Sequence, residues 1–184
     1  MKLQKQIQER WSPREFSDKA IADADMFQLF EAARWAPSCY NEQPWRFIFA
    51  CKKTAKESTD FDRLAECLVD GNAWAKNAAA LVLTIANPTF EHNGKPNAYA
   101  WHDVGLATAQ LILQAEYQGI KAHPMAGFDS QKAKSSLDLP AAMEPVAMIA
   151  LGYPEKGAKL PDMSQRDRRR LDDVVYQGRW PKGA

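Results

Sequence analysis

Cysteine is scarce in this sequence, and the few cysteines present are not spaced for pairing. The cysteines are Cys39, Cys51 and Cys67, and the histidines are His92, His102 and His123. An odd number of cysteines at unrelated spacings predicts free thiols in a reducing compartment, so we expect a cytoplasmic protein. Because no Cys-x-x-Cys occurs and the histidines lack ligand spacing, we expect no metal site.

Long apolar runs and an excess of one charge are also missing. The longest apolar runs, Ala78–Leu83 and Val146–Leu151, fall far short of the roughly 20 residues of a membrane span. The first ten residues lack the apolar stretch of a secretory signal. Lys and Arg number 24 against 23 Asp and Glu, whereas a nucleic-acid-binding domain carries a strongly basic face. We therefore expect a soluble protein that binds neither membranes nor nucleic acid.

Helical and strand patterns alternate along the chain and predict one α+β domain over 1–184. Predicted helices cover 2–10, Asp23 to just before Pro37, Phe61–Val69, Ala98–Gln118 and Ser130–Leu137. Predicted strands cover Trp45–Cys51, Ala78–Ala86, Ile120–Met125 and Val146–Leu151. Asp23 is a predicted cap, and Ser130 is predicted to lie near the cap of its helix. The predicted packed face of the second helix consists of Met26, Phe27, Phe30, Ala33 and Ala36. A polar loop is predicted over Lys52–Asp60, and an extended C-terminal arm over 154–184.

The helix over Ala98–Gln118 carries apolar residues on nearly every side and ends at Gly119, a typical C-terminal cap. A surface helix would show only one apolar stripe. We therefore expect this helix to be buried in the domain, in a subunit interface, or both. The small residues Gly105, Ala107, Thr108 and Ala109 would let another helix approach closely.

Between two prolines, a short loop carries hydroxyl and amide side chains. Pro37 ends a helical pattern, and Pro44 opens an alternating aromatic run typical of a strand. Ser38, Asn41 and Gln43 lie between them. Because Asn and Gln each offer donors and an acceptor, this loop suits a flat heterocycle with alternating carbonyls and ring nitrogens. An ordinary helix-to-strand turn is the alternative.

A second polar stretch has the sequence Arg10-Trp-Ser-Pro-Arg-Glu-Phe16. Two arginines and a serine within five residues suit a phosphate, because a guanidinium binds it bidentately and a hydroxyl adds a further bond. No Gly-x-Gly-x-x-Gly motif or phosphate loop is present to offer a different phosphate site.

Together, Arg-x-Ser-x-Arg-x-Phe and Ala-Pro-Ser-x-x-Asn-x-Gln-Pro-Trp resemble the nitroreductase family of FMN-dependent oxidoreductases. The resemblance continues through Gly71-Asn-x-Trp74, Trp101-x-Asp-x-Gly-x-Ala107 and Pro124-Met-Ala-Gly-Phe-Asp129. It implies a mostly antiparallel central sheet flanked by helices. It also implies a homodimer with one FMN in each of two interface pockets, and a C-terminal tail wrapped onto the partner.

The resemblance further implies which residues hold FMN. For the phosphate and ribityl chain they are Arg10, Trp11, Ser12, Arg166 and Arg168. For the pyrimidine edge they are Arg14, where a cation stabilises reduced flavin, and Asn72. Along the ring lies the backbone of Met125, Ala126 and Gly127. From the other subunit come Pro37, Ser38, Cys39, Asn41 and Gln43. Relatives commonly carry a proline where Arg170 stands, so it is left open which tail arginines align with the pair that binds the phosphate in relatives. A solvated charged tail is the alternative.

The implied activity is transfer of hydride or electrons from NAD(P)H to nitroaromatics, quinones or similar small acceptors by a ping-pong mechanism. Flavin N5 carries the chemistry, so no side chain is predicted to be catalytic. The loop over Pro88–Tyr99 is short, which predicts an open pocket and loose substrate choice. Two alternatives remain open: a non-catalytic flavin-binding or redox-sensing protein of this fold, and a hydrolase dependent on Cys39. The latter is disfavoured because no activating partner is placed near Cys39 in the sequence.

Overall fold

One four-stranded antiparallel sheet separates two groups of helices. The computed structural model describes residues 3–52, 59–155, 157–158, 162 and 166–181. The helices are α1 Lys5–Glu9, α2 Asp23–Arg34, α3 Thr59–Ala65, α4 Ala100–Tyr117 and α5 Ser130–Ser136. The strands are β1 Trp45–Cys51, β2 Ala80–Ala86, β3 Lys121–Met125 and β4 Glu144–Gly152. Their order is β1-β2-β4-β3, and every neighbouring pair is antiparallel, which confirms the predicted α+β class.

Both faces of the sheet are covered, because successive side chains of a strand point to opposite sides. On β2, Val82 belongs to the core formed with α2 and α4. Its neighbour Leu81 belongs to a second core formed with α3 and α5. Both side chains are fully buried. The sheet is therefore the middle of three layers.

The packed face of α2 differs from the prediction by one position. Met26 and Ala33 are buried as expected, but Phe27 is 62% exposed and Leu29 is fully buried. Leu29 lies three residues after Met26 and four before Ala33, which places it on the same stripe. Phe27 reaches only the edge of the sheet, where its ring meets Phe49 edge-on at 6.0 Å.

One predicted cap and one helix end are also wrong. Ala22, not Asp23, is the cap of α2, and Asp23 is its first helical residue. Asp129 caps α5, since its side chain accepts a hydrogen bond from the Lys132 amide, and Ser130 lies next to the cap as predicted. The third helix ends at Ala65. Beyond it, Leu68 forms an isolated bridge with Phe128, and that long-range contact overrides the local helical pattern.

Helix α4 buries one side within the chain and leaves the opposite side open. Val104, Ala107 and Leu111 are buried against the sheet, whereas Gly105 and Ala109 are exposed. The predicted end is confirmed: Gly119 has φ +75°, and the following amide, Ile120 N–H, bonds the Ala115 carbonyl at 2.8 Å. The role of the exposed side in a subunit interface stays a prediction.

Parts of two other predictions lie outside the described residues. The polar loop predicted over Lys52–Asp60 includes 53–58, and the arm over 154–184 includes 156, 159–161, 163–165 and 182–184. Within the described ranges, no helix is both long enough and apolar enough to span a membrane.

Candidate functional site

Arg10 lies where the two ends of the chain come together. Its Nη1 donates to Ser12 Oγ at 3.0 Å, and Arg166 Nη1 donates to the Arg10 carbonyl at 2.6 Å. Burial lowers the pKa of Arg10, and the charges of Arg166 and Arg168 lower it further. Arg168 Nη1 itself donates to the Asp167 carbonyl at 2.6 Å, and Arg170 lies 3.5 Å from Asp172. The tail therefore brings positive charge close to Arg10, and the assignment of Arg166 and Arg168 to a phosphate stays a prediction.

The segment after α1 is tied to the sheet at several points, which fixes Arg10 and Ser12. The Pro13 carbonyl accepts a 2.8 Å bond from His123 Nδ1, and Ser17 N–H donates to the Tyr153 carbonyl at 2.9 Å. Phe16 lies against Gly152, where an added Cβ would come within 2.6 Å of Phe16 Cδ1. Only glycine at 152 allows this close approach.

A buried ion pair lies close to the arginines. Glu116, at the C-terminal end of α4, pairs with Lys121, the first residue of β3. Their side chains are only 7% and 8% exposed. The Glu116 carboxylate also acts on Arg10, whose pKa it raises against the stronger lowering effects. One carboxylate thus offsets part of a locally positive region that includes three guanidinium groups.

An aromatic group adjoins Arg14. The Arg14 guanidinium lies 5.9 Å from the centre of the Trp74 ring, a cation–π distance. Trp74 in turn packs against His123 at 4.6 Å and Phe16 at 6.4 Å. The sequence motif Gly71-Asn-x-Trp74 marked Trp74 but assigned it no role, and His123 carried no signal because its partners are distant in the chain.

Asn72 and Gly127 contact each other closely. Asn72 Nδ2 donates to the Gly127 carbonyl at 2.8 Å. A Cβ on residue 127 would lie 2.5 Å from the same nitrogen, so the contact requires glycine. The neighbouring Met125 is 5% exposed at the end of β3, whereas Ala126 is exposed. One amide hydrogen of Asn72 is engaged here, and its oxygen and second hydrogen are left for a ligand.

The indole nitrogen of Trp11 is buried. Nε1 has no hydrogen-bond partner among the described residues, so its N–H is not accessible to a ligand within this chain. The expected place of Trp11 beside the phosphate and ribityl chain stays a prediction for its ring and backbone.

The loop over 38–43 has an unusual backbone. Tyr40, Asn41 and Gln43 have φ values of 54°, 56° and 51°, the left-handed region that costs a residue other than glycine roughly 1–3 kcal/mol. Ser38 Oγ accepts from Gln43 N–H at 2.9 Å, which closes the loop. Such strain is concentrated at functional sites, which favours a binding role for this loop over an ordinary turn. Within it, Tyr40 is 85% exposed.

Asp103 anchors this loop to α4. The carboxylate is 2% exposed; Oδ2 accepts from Cys39 N–H at 2.9 Å, and Oδ1 lies 2.9 Å from His102 Nδ1. The bond to Cys39 is made by its backbone amide and not by its thiol. Asp103 therefore positions the loop and does not activate the Cys39 thiol.

The loop over 88–97 is folded back on itself and packs on the first loop. Thr89 and Pro96 form a bridge, and Glu42 accepts from Glu91 N–H at 2.5 Å and lies 3.2 Å from His92. The Glu91 amide, and then His92, lower the pKa of Glu42. Among the described residues, no group of three or more His, Cys, Asp or Glu side chains could hold a metal ion.

The two predicted halves of the site lie at opposite ends of α4. The arginine cluster is near Glu116, and the 38–43 loop is bonded to Asp103. Thirteen residues of helix separate them, or roughly 20 Å at about 1.5 Å per residue. No described contact joins the loop to the arginine cluster within the chain.

Comparison with known proteins agrees with this geometry. Residues 7–153 match the model of the Nitroreductase family, so the chain belongs to the nitroreductase family of oxidoreductases. A solved structure described as "the oxidoreductase containing FMN" superposes with a TM-score of 0.87 and 34% identity, covering 98% of this chain and 94% of that one.

Two relatives in sequence are matched over most of their own length. A Mycolicibacterium smegmatis protein named "Uncharacterized 15.4 kDa protein in ask 5'region" is 34% identical over 73% of this chain and 97% of its own. An Archaeoglobus fulgidus protein named "Putative NADH dehydrogenase/NAD(P)H nitroreductase" is 28% identical over 96% of this chain and 97% of its own. The nitroreductase fold therefore extends over nearly the whole chain.

Proposed function

We propose that the protein is an FMN-dependent oxidoreductase that uses NAD(P)H to reduce nitroaromatics, quinones or similar small acceptors by a ping-pong mechanism. The observation that carries the proposal is the contact of Arg166 with the Arg10 backbone beside the Ser12 hydroxyl, with the charge of Arg168 near enough to lower the pKa of Arg10. Three guanidiniums repel one another, so the site favours an anion of more than one charge. A phosphate monoester supplies that charge together with several acceptor oxygens.

The remaining residues fit the ring of the same cofactor. Arg14 offers a cation, and Asn72 retains an oxygen and an N–H for a heterocycle with both donors and acceptors. The missing side chain of Gly127 leaves room for Asn72, which is thereby held beside the backbone of residues 125–127. FMN, when bound, would accept hydride from NAD(P)H and pass electrons to an acceptor that uses the pocket in turn. Arg14 would favour the negative charge that the ring gains on reduction.

A homodimer would complete the site. In a two-fold dimer every contact occurs twice. If the exposed sides of two α4 helices pack antiparallel, the Asp103 end of one helix comes to the Glu116 end of the other. The 38–43 loop of one chain would then reach the flavin held by Arg10 of its partner. In the same arrangement the exposed apolar residues of the tail, Val174, Val175 and Trp180, would pack on the partner chain.

The visible spectrum of the purified protein tests the proposal. We expect flavin bands near roughly 370 and 450 nm, bleached anaerobically by NADH or NADPH and restored by a quinone or nitroaromatic. A colourless protein that takes up no added FMN would overturn the proposal. A flavin that binds but is not bleached by either nucleotide would instead support the non-catalytic flavin-binding alternative.

A further inference from the structure

We propose that Asp103 is a positioning residue that holds the 38–43 loop in the left-handed conformation required for flavin binding. The inference rests on the proposed function, because the loop has a binding role only if the protein holds a flavin. It goes beyond the flavin-contacting residues, since Asp103 acts through the loop backbone.

The backbone of the loop adopts a conformation that needs support from other contacts. Three residues other than glycine adopt positive φ between 38 and 43, and this conformation persists only where surrounding contacts hold it. Ser38 Oγ, bonded to Gln43 N–H, and Asn41 O, bonded by Gln43 Nε2 at 3.3 Å, are both internal to the loop. These bonds close the loop, and Glu42 and the Gln43 carbonyl join it to the 88–97 loop and to Arg46, but none of these bonds ties it to a helix of the domain.

Asp103 ties the loop to α4. Asp103 Oδ2 accepts the Cys39 amide at 2.9 Å, from a residue 64 positions away. A hydrogen bond to a charged acceptor is stronger than a neutral one, and the carboxylate is 2% exposed, so water competes little. The other oxygen, Oδ1, is held by His102. The carboxylate therefore contacts a partner at each oxygen and lies on the inner side of α4, where its side chain is 3% exposed.

The tie between Asp103 and the loop affects how the loop would meet a flavin. Asn41 is exposed, and Tyr40 is 85% exposed although its ring meets Phe90 at 6.0 Å. Without Asp103, the backbone of these residues would lose its tie to α4 and could relax toward ordinary φ values. The predicted flavin contacts of the loop, Ser38 and Asn41 among them, would then be displaced together.

The test compares three variants of the full-length protein loaded with FMN. Asp103→Asn keeps an oxygen that can accept from Cys39 N–H, and Asp103→Ala removes it. Val104→Ala is the matched control, because it removes buried volume from the adjacent position of α4 and leaves the hydrogen bond from Cys39 N–H to Asp103 in place. Amide hydrogen exchange of the 38–43 segment is measured together with the FMN dissociation constant.

We expect Asp103→Ala to accelerate exchange in 38–43 at least tenfold and to weaken FMN binding at least tenfold. Asp103→Asn should stay within about threefold of wild type in both, and Val104→Ala should leave both unchanged. Unchanged exchange in Asp103→Ala, or faster exchange with unchanged FMN affinity, would overturn the inference. A wild-type protein that binds no FMN would overturn the proposed function, and with it the ligand step; exchange alone would then decide whether Asp103 anchors the loop.

Discussion

At the scale of single residues, the arginine cluster is unusual because its members come from distant parts of the chain and yet lie within reach of one another's charge. Burial and mutual repulsion both lower the pKa of Arg10, and the Glu116 charge works against them. A bound dianion therefore stabilises such a cluster more than it would stabilise an isolated surface arginine.

Replacement of Arg10 by Ala should therefore weaken FMN binding about tenfold to a hundredfold, because a charge-assisted bond contributes roughly 1.5–3 kcal/mol. Riboflavin, which lacks the phosphate, should be affected much less. Fluorescence titration of the apoprotein with both flavins measures the difference. Arg166→Ala should behave like Arg10→Ala, and Arg169→Ala, an exposed neighbour in the tail, serves as the control. Equal losses for FMN and riboflavin would contradict the phosphate assignment.

The buried pair of Glu116 and Lys121 allows a second prediction. Lys121→Met leaves a buried carboxylate without its main partner and should reduce the free energy of unfolding by about 3–5 kcal/mol. The double variant Lys121→Met/Glu116→Leu removes both charges and should recover most of that loss. Urea denaturation of the wild type and the two variants gives the comparison. If the single and double variants are equally destabilised, the pair is not the reason for the loss.

At the scale of elements, α4 links the two halves of the site and has two different faces. Its inner face packs on the sheet, while Gly105 lies on the outer face. Apart from the backbone of its own helix, no described atom lies within 4 Å of the place that a Cβ on residue 105 would occupy. A larger residue therefore fits the single chain without a clash. Any overpacking at this position must come from a second chain.

Gly105→Leu thus separates folding from assembly. We expect the variant to fold as a monomer, to dissociate on size exclusion and to lose FMN, since overpacking an interface costs about 1–3 kcal/mol. Ala24→Leu on the exposed part of α2 is the control. Far-ultraviolet circular dichroism checks the fold of both variants. A dimer that retains FMN in Gly105→Leu would show that this face of α4 is not the interface.

At the scale of the whole molecule, the separation of the two halves by roughly 20 Å of helix makes a shared pocket the simplest arrangement. Each chain would supply an arginine cluster to one pocket and a 38–43 loop to the other. Loss of either half in both chains should then remove flavin from both pockets.

Mixed dimers test this arrangement. If Arg10→Glu and Asn41→Leu each abolish flavin binding as homodimers, a heterodimer of the two collects both lesions in one pocket and leaves the other intact. Co-refolding the variants with different affinity tags should restore about one FMN per heterodimer. Self-mixed samples of each variant are the controls. No recovery in purified heterodimers would mean that each pocket is made within one chain.

The sequence by itself determined the kind and order of the elements. Local periodicity, proline and glycine placed the four strands and the long helix within a few residues, because these signals act over one or two turns of chain. The same locality explains the errors. The local pattern favoured Phe27 over Leu29 and made α3 too long, since the sheet edge and the bridge to Phe128 lie far away in sequence.

Only the tertiary structure decided which distant residues meet. The contact of Arg166 with the Arg10 carbonyl joins residues 156 positions apart, whereas the register of the tail arginines on a phosphate stays a prediction. The bond from Cys39 N–H to Asp103 joins residues 64 positions apart. Such contacts depend on how helices and strands pack and not on the residues beside them in the chain. For that reason the motifs could indicate a phosphate and a flat ring, whereas the scaffold that positions them had to come from the fold.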